Sequence, residues 1–80
     1  MRTVYLIQSV EYPEQTYIGT APDFNRRLKQ HNAGRSPHTI KYAPWEFVEV
    51  IQFADKRKVN AFERYLKTGS GRTFAKKHFW

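Results

Sequence analysis

The stretch Thr3-Val4-Tyr5-Leu6-Ile7-Gln8-Ser9 reads as a β-strand, being β-branched and aromatic, but both of its faces carry apolar groups. Val4 and Leu6 fall on one side, Tyr5 and Ile7 on the other. A strand apolar on both sides is one covered on both sides. In an 80-residue chain that is a severe demand, because short chains bury a smaller fraction of their surface than larger domains do. There is no cysteine, hence no disulfide and no thiolate metal site to relieve it. Six Phe, five Tyr and two Trp must supply much of the burial instead.

The other elements follow from their punctuation. Tyr12-Pro13-Glu14 is turn chemistry, and residues 15–20 return as a second strand, predicting a hairpin. Thr20-Ala21-Pro22-Asp23 has capping-box spacing with proline tolerated in the first turn, so a helix is expected from there, closed by Gly34 as a left-handed cap. Residues 35–44 form a polar loop and 46–53 a third strand. Asp55 caps a second helix over about 56–67. Gly69-Ser70-Gly71 breaks it, and Ser70 starts a short third helix through about Lys77. The class is α/β in the α+β sense: a single domain over residues 1–80, in β-β-α-β-α-α order, with a three-stranded antiparallel sheet ordered 2-1-3 and helices packed on it.

Charge is unevenly placed. Residues 1–55 balance six basic side chains against six acidic ones, whereas residues 56–80 hold eight basic side chains against Glu63 alone. The net +7 thus sits in the last third, a positive field suited to a polyanion such as a nucleic acid, or simply that of a soluble basic protein. No apolar run reaches the ~18 residues of a membrane span, and Met1-Arg2-Thr3 does not open a signal peptide. A soluble, cytoplasmic protein is expected.

On a helical wheel, Phe24 and Leu28 make the apolar stripe of the first helix. His31 falls beside Phe24 and Arg27 beside His31, while Arg26 points away. Arg27 is either an arginine snorkelling over apolar surface or a residue reaching a site. His31 is either an edge histidine suited to the macrodipole or a site residue. In the second helix Val59, Phe62 and Leu66 form the buried stripe, with Glu63 at its border. Glu63 is either an i,i+4 ion-pair partner of Lys67 or a ligand for a hard cation. There is no zinc spacing, phosphate-cradling glycine loop or nucleophile elbow. The other carboxylates are too scattered for a two-metal centre.

Tyr5, then Tyr17-Ile18-Gly19, then Arg27, His31 and Glu63 form an ordered set that resembles the GIY-YIG nuclease superfamily. The resemblance runs from residue 3 to about 78. Arg26-Arg27-Leu28-Lys29-Gln30-His31-Asn32 and Leu66-Lys67-Thr68-Gly69-Ser70-Gly71-Arg72 look like stretches of its small standalone bacterial members. It implies that Tyr5 and Tyr17 are the signature tyrosines and that Gly19 lets backbone approach the site. It also implies that Arg27 contacts phosphate, that His31 is the histidine of many members, and that Glu63 holds a single Mg²⁺ or Mn²⁺. The first signature reads Thr3-Val4-Tyr5 without a glycine, and the asparagine that many members carry after the glutamate has no clear counterpart.

The function expected from this resemblance is metal-dependent hydrolysis of DNA phosphodiesters, structure-selective and in repair or recombination. A tyrosine would help deprotonate the attacking water and Arg27 would neutralise charge on phosphate oxygens. Because a phenol near pKa ~10 is a weak base at neutral pH, Arg27 and the metal are the candidates to lower it. Arg35, Lys41, Lys67, Arg72, Lys76 and Lys77 are candidate DNA contacts. The alternatives are a non-catalytic nucleic-acid-binding module of the same fold and a protein-interaction domain with a residual site.

Overall fold

The computed structural model describes residues 2–35 and 37–80. Strand β1 (Arg2–Ser9) lies between β2 (Thr16–Ala21) and β3 (Trp45–Phe53), both antiparallel to it, in the expected order β2-β1-β3. The helices are α1 (Phe24–Asn32), α2 (Lys56–Leu66) and α3 (Gly69–His78). A 3₁₀ turn, Ile40–Tyr42, interrupts the loop before β3.

The double-sided strand is covered as its pattern demands. On one face Val4 and Leu6 pack with Val59, Leu66 and Ala75 of α2 and α3. On the other, Tyr5 and Ile7 pack with Ala21 and Trp45, bordered by Phe24 and Leu28 of α1. At about 25 cal/mol per Å² of apolar area removed from water, burying each of these aliphatic side chains contributes roughly 1.5–3 kcal/mol. The register opposes Tyr5 to Gly19 and Ile7 to Tyr17. The β1–β3 ladder shifts between Leu6 and Ile7, leaving Val48 as the extra residue.

Two helix starts differ from the sequence reading. Thr20 and Ala21 do not cap α1: they end β2, paired with Val4 and Thr3, and ladder bonds there outcompete a cap. The cap is Asp23, whose carboxylate accepts the Arg26 N–H at 3.0 Å. Likewise α3 begins at Gly69, not Ser70, with Thr68 Oγ1 accepting the Gly71 N–H at 3.1 Å. Gly71 sits in that helix because a Cβ there would lie 1.7 Å from the Tyr65 carbonyl oxygen. Two closely packed helix backbones, and not a helix break, are what this glycine serves. Other expectations hold. Asp55 caps α2 by accepting the Arg57 N–H at 2.8 Å, and Gly34, at φ 82°, follows α1. The Gly34 and Arg35 N–H groups close α1 onto the His31 and Gln30 carbonyls, a Schellman pattern.

Candidate active site

The site forms where the second face of β1 meets β2 and α1. Alternation puts Tyr5, and on β2 both Tyr17 and Gly19, on this face. Tyr5 leans across its cross-strand partner: a Cβ on Gly19 would come 2.5 Å from the Tyr5 hydroxyl and 2.7 Å from Cζ. Gly19 therefore makes room for the tyrosine side chain, and the close approach is that of Tyr5 to the β2 backbone. The Tyr17 ring lies 6.2 Å from that of Tyr5 and 4.9 Å, edge-on, from His31.

His31 is fully buried. Its Nε2 lies 2.9 Å from the Tyr5 hydroxyl and its Nδ1 2.7 Å from Thr39 Oγ1. It is thus no edge histidine serving only the last turn of α1. Burial, helped by the positive charge of Arg27, lowers its pKa. A neutral imidazole results, with one N–H to donate and one lone pair to accept.

Burial also pushes Tyr5 up to about 12. The Arg27 guanidinium beside the phenol pulls the other way and loses to desolvation, and the charges of Tyr17 and Glu63 add to the rise. The lowered tyrosine pKa anticipated from Arg27 is therefore reversed in this structure: a phenol this deep is hard to ionise. Arg27 is half-buried and donates to Gln30 Oε1 at 2.9 Å, whereas Arg26 is exposed.

Glu63 lies on α2, near enough for its charge to act on Tyr5. Its Oε2 accepts from Lys67 Nζ at 2.6 Å. Among the described residues no three His, Cys, Asp or Glu side chains gather into a metal-binding group. A cation held by Glu63 would therefore draw few of its ligands from the protein. That fits a hard cation which keeps several waters and takes its remaining ligands from phosphate.

The candidate DNA contacts do not form one patch. Lys67, Arg72 and Lys76 line one groove, while Arg35 lies with Arg26 and Lys29 around a shallow depression by α1. Lys41 is exposed on the 3₁₀ turn and Lys77 on α3. Three supporting residues escaped the sequence reading. Gln30, three residues from Arg27, had a signal in its helical spacing. Thr39 had none, lying in an irregular loop. Asn32 accepts the Trp45 N–H at 2.6 Å and donates to its carbonyl at 3.2 Å. Trp45 Nε1 in turn donates to the Thr39 carbonyl at 2.8 Å, so the loop that carries Thr39 is tied at both ends.

The model of the GIY-YIG catalytic domain matches residues 1–77. The chain belongs to the GIY-YIG family. Similar proteins include the structure-specific endonuclease subunit SLX1 of Debaryomyces hansenii, 38% identical over 71 residues. Those of Candida dubliniensis and Talaromyces marneffei are 37% identical over 71 residues and 42% over 53. The matches cover 80%, 80% and 60% of this GIY-YIG chain, but only 20%, 25% and 14% of the relatives in the same order. These relatives are fungal and far longer, so they do not carry the likeness to small standalone bacterial members. No helix among the described residues is long and apolar enough to cross a membrane.

Proposed function

We propose that residues 1–80 are one catalytic domain that hydrolyses DNA phosphodiester bonds with the help of a single Mg²⁺ or Mn²⁺. The observation that carries this reading is the hydrogen bond between the Tyr5 hydroxyl and His31 Nε2, held over Gly19 with Arg27 alongside.

At rest the raised tyrosine and lowered histidine pKa values keep the shared proton on Tyr5, with Nε2 as acceptor and Nδ1–H donating to Thr39. As an attacking water gives a proton to the Tyr5 oxygen, Tyr5 passes its own to His31 Nε2. The hydroxide so formed makes the new P–O bond while the bond to the 3′-oxygen breaks, and that oxygen takes up a proton from solvent. Burial of the phenolate is thereby avoided at every stage. Tyr17 packs against His31 and orients the water. Arg27, fixed by Gln30, neutralises charge growing on the nonbridging oxygens. Glu63 would hold the cation, which when bound supplies Lewis-acid stabilisation of the phosphate and leaving oxygens.

The fungal relatives bear the name structure-specific endonuclease subunit. By that likeness this domain selects DNA by its structure and works together with a protein partner; its setting in repair or recombination and in the cytoplasm is part of the same proposal. The resemblance of residues 26–32 and 66–72 to small bacterial members is part of the same proposal. A second reading, a binding module without catalysis, is favoured by the Glu63–Lys67 ion pair, which occupies the carboxylate. Incubation with branched, nicked, single-stranded and duplex DNA, with and without Mn²⁺, separates the two. Cleavage of a branched substrate that requires Mn²⁺ and disappears in Glu63→Gln is expected. Salt-sensitive binding without cleavage would establish the module instead.

A further inference from the structure

A groove of about 530 Å³ opens on the edge strand β2 and runs along α3. It lies within the ~300–1,000 Å³ that hold small organic ligands, large enough for a nucleotide. Its floor is apolar, with Ile18, Leu66 and Ala75. Lys67, Arg72, Lys76 and Trp80 are also in its lining, with no acidic residue among the lining residues. Trp80 is 37% exposed, unlike Trp45 at 5%. The lining also includes Tyr17, a residue of the candidate active site whose ring lies 4.9 Å from that of His31, so the groove borders that site at the β2 edge.

A duplex has its bases stacked inward and offers such a groove only phosphates. An unpaired strand offers both of the things the groove can bind: phosphates for the three cations and a free base face for an indole. We propose that this groove holds an unpaired nucleotide of the substrate, its base stacked on Trp80 and its flanking phosphates on Arg72 and Lys76, leading the strand to Tyr17. Resting on the nuclease reading, this makes the substrate DNA with a splayed strand next to the scissile bond. Lys67 borders the groove while paired to Glu63, and so links the strand's path to the candidate metal carboxylate.

The test is equilibrium binding in EDTA, where no cleavage occurs. Short oligothymidylate, the same oligonucleotide carrying abasic sites, and a duplex of equal length serve as probes. Wild type should bind oligothymidylate with saturable quenching of tryptophan emission, because one of its two indoles is accessible. Trp80→Leu should weaken that binding about 5- to 150-fold, the range for one stacked base, and Trp80→Phe should restore most of it. Duplex binding should change by less than about twofold, which is below the effect of one stacked base. Arg72→Gln with Lys76→Gln should weaken the thymidylate and abasic probes alike. Equal affinity of wild type for abasic and thymidylate probes would overturn the proposal. So would equal loss on duplex and single strand in Trp80→Leu, or competition only by an extended peptide added along β2. Since these measurements need no turnover, absence of cleavage in Mn²⁺ would sink the nuclease reading and leave the groove standing, and the reverse also holds.

Discussion

Replacing Gly19 by alanine tests the geometry of the site more sharply than removing any catalytic group. The added Cβ would stand 2.5 Å from the Tyr5 hydroxyl, 2.7 Å from Cζ and 3.0 Å from Tyr17 Cε1. Ordinary carbon contacts lie near 3.5–4.0 Å, so the phenol tip must retreat by roughly 1 Å. Tyr5 is 1% exposed and cannot swing into solvent. A retreat of that size disturbs its 2.9 Å bond to His31, whose geometry tolerates only a few tenths of an ångström. Overpacking of this kind costs about 1–3 kcal/mol, offset by about 0.5–1 kcal/mol for replacing a strand glycine. A net loss of roughly 0–2.5 kcal/mol leaves a folded protein, while a ~1 Å misplacement can cost ~10²-fold in rate. Urea titration should show a small shift of midpoint, and cleavage at saturating DNA should fall by about that factor with KM little changed. In a Tyr5→Phe background the same substitution should destabilise less, because the 2.5 Å contact is gone. A Gly19→Ala protein that cleaves at the wild-type rate would refute the close approach of Tyr5 to β2 and the relay built on it.

Arg27→Ala should lower the cleavage rate by ~10²–10³-fold and Arg26→Ala by far less, since only Arg27 lies beside Tyr5; similar losses would remove the distinction. Gly71→Ala should destabilise by more than about 3 kcal/mol in denaturant melts, because its Cβ meets the α2 backbone, whereas Gly69→Ala, with nothing within 4 Å, should melt at or slightly above wild type. Stability should fall as pH rises from 10 to about 12, where unfolded tyrosine ionises and buried Tyr5 does not, by at most about 2.7 kcal/mol, and Tyr5→Phe should abolish this contribution. On the acid side His31 acts in the opposite sense. Its folded pKa lies below the unfolded value of 6.5, so stability falls as pH drops below 6.5, by up to about 1.4 kcal/mol per unit, until the folded value is reached.

Most of the fold could be read from the chain because its strongest signals are periodic. Val4 and Leu6 against Tyr5 and Ile7 announce a covered central strand, and Val59, Phe62 and Leu66 announce the face α2 buries. Local chemistry misled where long-range contacts decide. Thr20 looks like a cap until its pairing with Val4 is known, and Gly71 looks like a break until the nearness of Tyr65 is known. In the site, the wheel separated Arg27 from Arg26 because half-burial follows helical phase. It left His31 undecided, because its partners Tyr5 and Thr39 lie 26 residues before it and 8 after it. The raised pKa of Tyr5 was equally invisible, since desolvation depends on packing that no spacing encodes.

Functional side chains are commonly carried on loops above a rigid scaffold. Here Tyr5 belongs to the scaffold's innermost strand, flanked in the chain by Val4 and Leu6, which anchor the opposite core. A slip of one residue along β1 would turn Tyr5 toward α2 and expose both apolar sets to the wrong layer at once. The amides around Tyr5 should then be among the last to exchange with solvent, opening only with the whole domain. On the proposed function, such a centre cannot reshape itself around different substrates. Its repertoire has to change at the periphery, through β2, α3 and the loop that carries Thr39, while the tyrosine at the centre stays where folding puts it.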